Sequence, residues 1–169
     1  MENFDIRPMQ AADIGTTYPL MRQVLPSLDP ARWSRFARRM ANPRCIGQHG
    51  IVVAKGARRL FPSGLVCYRK QQDLSLGAVL VADHFVAVDL LDPGPIVEAL
   101  AAALDNLAVR LECRAIRSVV HQTTQDVTSG LVAAGHRPEG ATLCKLVPEH
   151  DPIAAAAACT VPLHDLAPA

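Results

Sequence analysis

Aromatic residues are scarce in this chain: one Trp, two Tyr and four Phe among 169 residues. That scarcity excludes the stacked aromatic surfaces on which single-stranded nucleic acid is held. An excess of one charge is also lacking. Seventeen Lys and Arg stand against 16 Asp and Glu, a formal net charge of +1, so neither nucleic acid nor another polyanion is indicated as a partner. No apolar run reaches the roughly 18 residues that cross a bilayer, so no membrane partner is expected. The opening Met1-Glu2-Asn3-Phe4 has neither the basic region nor the apolar stretch of a secretory signal. The cysteines Cys45, Cys67, Cys113, Cys144 and Cys159 are odd in number and contain no CxxC pair, which removes zinc knuckles and thioredoxin-like motifs. Cys67 and Cys144 lie in apolar runs, where a free thiol acts as a small hydrophobe. A reduced, cytoplasmic compartment is the expectation. Cys45 and His49 have a spacing a metal uses on a helix, but Pro43 and Gly47 make this segment a loop, and no metal site is expected.

Half of the residues are apolar, enough for one well-filled core. Phe4-Asp5-Ile6-Arg7-Pro8 alternates and stops at a proline, as a short strand does. Residues 10–25 carry Ile14, Tyr18, Met21 and Leu25 at helical spacing, with a kink or break expected at Pro19. Asp29-Pro30 is a cap followed by proline at the first helical position, and Trp33, Phe36, Ala37 and Met40 form the apolar face behind it. After Gly50 the periodicity changes. Residues 51–54, 64–69 and 78–90 read as three strands of an antiparallel meander, with a bulge or splayed point expected at Asp83-His84.

The third strand runs into Asp92-Pro93-Gly94-Pro95, and this turn opens onto the longest helix, residues 95–112, with Ile96, Leu100, Ala103, Leu104, Leu107 and Leu111 as its apolar stripe. Unpaired N–H groups at such a helix start attract phosphate. Here Asp92 and Glu98 bring negative charge, and Pro95 has no N–H to donate. A strand at 115–121, a helix at 125–134 ending at Gly135 and a last strand at 141–147 follow, then a short helix begun by Asp151-Pro152. The division expected is a domain at 1–148 and an extension at 149–169 that packs on the domain or on a second subunit.

This order, together with Leu131-Val132-Ala133-Ala134-Gly135-His136-Arg137-Pro138-Glu139-Gly140 before a final strand, resembles the GNAT acyltransferase superfamily. The resemblance covers residues 4–147 and implies an α+β fold: a twisted mixed sheet flanked by helices, with the short helical extension appended. It also implies acetyl-CoA or another acyl-CoA as co-substrate. Phe85-Val86-Ala87-Val88 is similar to the strand whose backbone pairs with the pantetheine arm, which assigns Val86 and Val88 to cofactor binding. Gly94, Ile96 and Val97 fall at the pyrophosphate loop, and Thr124, at the head of the following helix, is a further cofactor contact. The loop departs from the family pattern: Asp92, Pro95 and Val97 stand where a basic or neutral residue and glycines are usual. The family's thiolate-protonating tyrosine maps near Leu131, which cannot donate a proton.

Two histidines are candidates for the proton of an attacking amine, since an imidazole titrates near pH 6.5. His84 lies in the strand facing the acceptor; its neighbour Asp83 is expected on the opposite face of a regular strand. Both residues are also readable as solvated tips of a bulge. His121 ends the 115–121 strand and is also readable as a polar strand end that caps the next helix. Arg32, Arg35 and Arg39 share one face of the second helix, near Arg38 and Arg44. Such a face is either solvated or suited to an acidic acceptor. Two functions are therefore carried forward. One is acyl transfer from acyl-CoA to a small-molecule or peptide amine. The other is a GNAT-fold binding module, with a homodimer among its expected forms and no acyl-CoA turnover.

Overall fold

A computed structural model of the chain describes residues 4–57, 59–89, 92–120 and 125–140. Its elements run β1 (Phe4–Pro8), α1 (Asp13–Val24), α2 (Pro30–Met40), a short 3-10 turn (Pro43–Cys45), β2 (His49–Gly56), β3 (Gly64–Asp73), β4 (Gly77–Ala87), α3 (Gly94–Arg110), β5 (Ala115–Ser118) and α4 (Gln125–Ala133). The strands form one sheet in the order β1-β2-β3-β4-β5. The first three pairings are antiparallel, and β4 pairs β5 in parallel, with Val79 beside Ala115 and Ala82 beside Ser118. A parallel pair needs a long crossover, and α3 supplies it. Two compact units are distinguished, Met1–Arg137 and Pro138–Ala169. The second is described only at residues 138–140, so the expected strand at 141–147, the boundary near 148 and the helix after Asp151 lie outside the described residues.

Helix α2 forms as its sequence dictates: the Asp29 carboxylate accepts from the Arg32 N–H at 2.9 Å, and Pro30 opens the first turn. Trp33, Ala37 and Met40 are buried, and the Trp33 indole donates to the Ile14 carbonyl of α1 at 2.8 Å. Pro19 does not break α1, which runs on to Val24. The lost hydrogen bond costs about 3 kcal/mol, and burial of Ile14, Leu20 and Met21, at about 1.5–3 kcal/mol each, outweighs it.

Two hydrophobic clusters flank the sheet. Trp33, Ala37 and Met21 pack with Ile51, Val53, Leu65, Cys67 and Val86 in one. Leu100, Leu104, Val127 and Leu131 pack with Val66, Leu80, Ala82 and Phe85 in the other. Helix α3 buries Val97, Ala101 and Ala108 beyond the expected stripe, because α4 covers a second flank of it. The two approach so closely at Gly130 that a Cβ there would lie 2.7 Å from Val97 Cγ1. Two strand ends differ from the sequence expectation: β4 stops at Ala87 and β5 at Ser118. Among the described residues no helix is long and apolar enough to cross a membrane.

Candidate active site

Strand β4 carries one residue more than the β3 stretch opposite it. Cys67 pairs with Asp83 and Leu65 with Val86, so Val66 alone faces His84 and Phe85. The surplus is absorbed at His84, whose φ of 49° is left-handed, a region uncommon outside glycine but more accessible to His than to most residues. Ala82 and Phe85 remain in the α3-side cluster and Val86 in the α1–α2 side cluster. Asp83 and His84 therefore line the same cleft, where a regular strand would have sent them to opposite faces.

The cleft has a volume of about 490 Å³ and lies between α2, which contributes Phe36, Arg39 and Met40, and the middle of the sheet. Phe36, on the apolar face of α2 as expected, is half-buried and meets the His84 ring edge-on, centroids 6.3 Å apart. The Tyr68 hydroxyl donates to the Ile46 carbonyl at 3.0 Å, and burial pushes its pKa up against the pull of Arg110. Only glycine fits beneath that ring, since a Cβ at position 50 would stand 2.5 Å from the hydroxyl. Arg69 is ion-paired with Asp83. Burial, reinforced by the Asp83 charge, pushes the Cys67 thiol well above its usual range. His49 also lines the cleft, and its buried Nε2 has no hydrogen-bond partner among the described residues. Arg39 takes part in none of the ion pairs among the described residues.

On its other edge β4 parts from β5 beyond Ala82, whose carbonyl still accepts from the Val119 N–H at 2.8 Å. Val88 lies past the strand end, and its N–H donates to the Ser63 carbonyl at 2.8 Å. In an antiparallel ladder, hydrogen-bonded and non-hydrogen-bonded pairs alternate. Val86, opposite Leu65, is thus hydrogen-bonded to β3, while Ala87, opposite Gly64, turns its N–H and C=O away from β3, to an edge that no strand among the described residues pairs. The Val88 N–H is thus engaged with Ser63, and the Ala87 backbone groups are not used by β3.

The start of α3 is closed by its own residues. Asp92 Oδ1 accepts from the Gly94 N–H at 2.8 Å. The Ile96 and Val97 N–H groups both donate to the Pro93 carbonyl, at 3.0 and 3.1 Å. Pro95 has no N–H. A phosphate approaching this helix start meets a carboxylate where donors are needed. His121 and Thr124 lie outside the described residues. A pair that sequence reading missed stands at the end of β5: Ser118 Oγ and His136 Nε2 are 3.1 Å apart. Eighteen residues separate them, and only the fold brings them together. No group of three or more His, Cys, Asp or Glu among the described residues could hold a metal.

A mixed sheet with this crossover and this opening between β4 and β5 is the fold of the GNAT N-acetyltransferases. An aminoglycoside N-acetyltransferase solved with CoA matches with a TM-score of 0.73 at 12% identity, over 88% of this chain and 97% of its own. A glucosamine-6-phosphate N-acetyltransferase from Arabidopsis thaliana matches at 0.68 and 13%, over 86% and 99%. A ribosomal-protein-alanine N-acetyltransferase from Brucella melitensis matches at 0.66 and 15%, over 86% and 100%. No protein-family model and no curated protein matches the chain.

Proposed function

We propose that the protein transfers an acyl group from acyl-CoA to an amine held in the cleft beside the β4 bulge. The observation that carries this reading is the coincidence, within β4, of an edge at Ala87 left unpaired among the described residues and a cleft at Asp83 and His84 on the same strand. An acyl thioester lying along that edge brings its carbonyl next to the cleft. The amine nitrogen then attacks the carbonyl carbon, the new C–N bond forms, and the C–S bond breaks. His84 takes the amine proton, and the departing thiolate is protonated from solvent or from the Ser118–His136 pair. A small-molecule or peptide amine suits the cleft, and a cytoplasmic location accords with the free Cys45, Cys67 and Cys113.

The closed start of α3 sets the expected affinity. With Asp92 on the Gly94 N–H, acetyl-CoA is expected to bind with a Kd well above micromolar in calorimetry. Each charge-assisted hydrogen bond restored is worth roughly 1.5–3 kcal/mol. The double change Asp92→Gln, Pro95→Gly is therefore expected to tighten binding at least tenfold. Thiol release in the presence of an amine panel is the companion assay. Sub-micromolar binding to the unchanged protein would refute the account of α3. No binding and no thiol release, even in the double variant, would refute acyl transfer and leave the binding-module reading.

A further inference from the structure

Resting on the acyl-transfer reading, we infer that the acceptor is an amine that also carries a carboxylate, an apolar amino acid in chemical class, and that Arg39 receives the carboxylate. The charged groups of the cleft are Arg39, Arg69 and Asp83. Asp83 is already bound to Arg69, and two charges so paired largely cancel. Arg39 is left as a guanidinium with no ion-pair partner among the described residues. Helix α2 has no acidic residue to offset it, and Arg35 and Arg32 stand four and seven positions earlier on the same side. An arginine fork takes a carboxylate in two parallel hydrogen bonds, a geometry lysine lacks. Of the remaining walls, His49 and His84 are polar, while Phe36, Met40 and the Tyr68 ring offer apolar surface to an apolar side chain.

The same inventory disfavours a polycation. The neighbour solved with a CoA–acetylneamine bisubstrate analogue takes an aminoglycoside. Here additional ammonium groups would face Arg39 and Arg69 with no carboxylate of the cleft left to receive them. A volume of about 490 Å³ lies in the range of small-molecule sites, roughly 300–1,000 Å³, and accepts a single amino acid with room for the thioester end.

The test titrates L-phenylalanine, L-methionine and L-leucine, each against its carboxamide, with kanamycin as the polycation, into the protein by calorimetry. The series is repeated with Arg39→Gln, an exposed position where the fold is expected to persist and the melting temperature to confirm it. At least one acid is expected to bind ten times more tightly than its carboxamide and than kanamycin. In Arg39→Gln that preference is expected to vanish, while the carboxamide Kd stays within about twofold. Equal binding of acid and carboxamide, no binding by any acid, or a preference that survives Arg39→Gln each overturns the inference. Thiol release measured in parallel with acetyl-CoA separates the two readings. Transfer to the carboxamides or to kanamycin that is indifferent to Arg39 upholds acyl transfer and sinks this acceptor class. A carboxylate preference lost in Arg39→Gln but without thiol release upholds the anion site and sinks acyl transfer.

Discussion

At His84 conformation and chemistry pull in different directions. A left-handed backbone favours glycine, and a non-glycine residue there costs of order 1–3 kcal/mol, yet the imidazole edge is held against Phe36 at the cleft wall. His84→Gly is therefore expected to be more stable than His84→Ala by about 1 kcal/mol, read from denaturant midpoints. Both are expected to lose acyl transfer about 100-fold or more, the usual contribution of a positioned base. An alanine variant as stable as the glycine variant would remove the strain argument. Full activity in either would remove His84 from proton transfer. The bulge itself was legible at Asp83-His84, because two polar residues interrupt an apolar run there. Which face each would take was not. Alternation with period two sends neighbours apart, and only the observed φ shows that this pair escapes it.

Between elements, the tie from β1 to α1 rests on Arg7 and Asp13. The guanidinium donates to both carboxylate oxygens, at 2.6 and 2.8 Å, and the Gln10 N–H adds a third bond at 2.8 Å. The Arg7 hydrogen bond is the main cause that lowers the Asp13 pKa; burial opposes it and the Gln10 N–H assists. The folded pKa thus lies below the unfolded value of about 3.9. The stabilisation is present in full above that value and is lost as pH falls through the folded pKa. Asp13→Asn is expected to cost about 2 kcal/mol at neutral pH and to flatten the decline of stability below about pH 4, as thermal melts across pH would record. An unchanged acid limb would show that other carboxylates dominate it. The helix starts were legible from Asp29-Pro30 and from the Pro/Gly turn before α3. The Asp92 side chain folding back on Gly94 was not, since charge at a helix start reads the same whether it faces solvent or the backbone. That α1 continues past Pro19 was not legible, because local propensity carries no information on the burial of Ile14, Leu20 and Met21 on either side of it.

Across the molecule, the order of elements and the parallel closure of β4 on β5 were legible, because strand and helix periods alternate cleanly and α3 is long enough to cross over. The cleft was not. Its walls come from residues 36 to 84, and neither the ion pair of Arg69 with Asp83 nor the place of Arg39 beside it leaves a mark in the order of residues. The bulge gives the fold a further property, which concerns insertion and deletion. Without His84, Ala82 and Phe85 would still face α3, and Asp83 and Val86 would still face α1 and α2, in strict alternation. One residue is thus supernumerary to the sheet. A variant lacking His84 is expected to fold with an equal or higher melting temperature and to lose the cleft proposed for the acceptor. Chemical shifts would show an unbroken strand from Gly77 to Ala87. A loss of folding would mean that the bulge is woven into the core. The expected result would mark the cleft as the product of a one-residue insertion in a sheet complete without it.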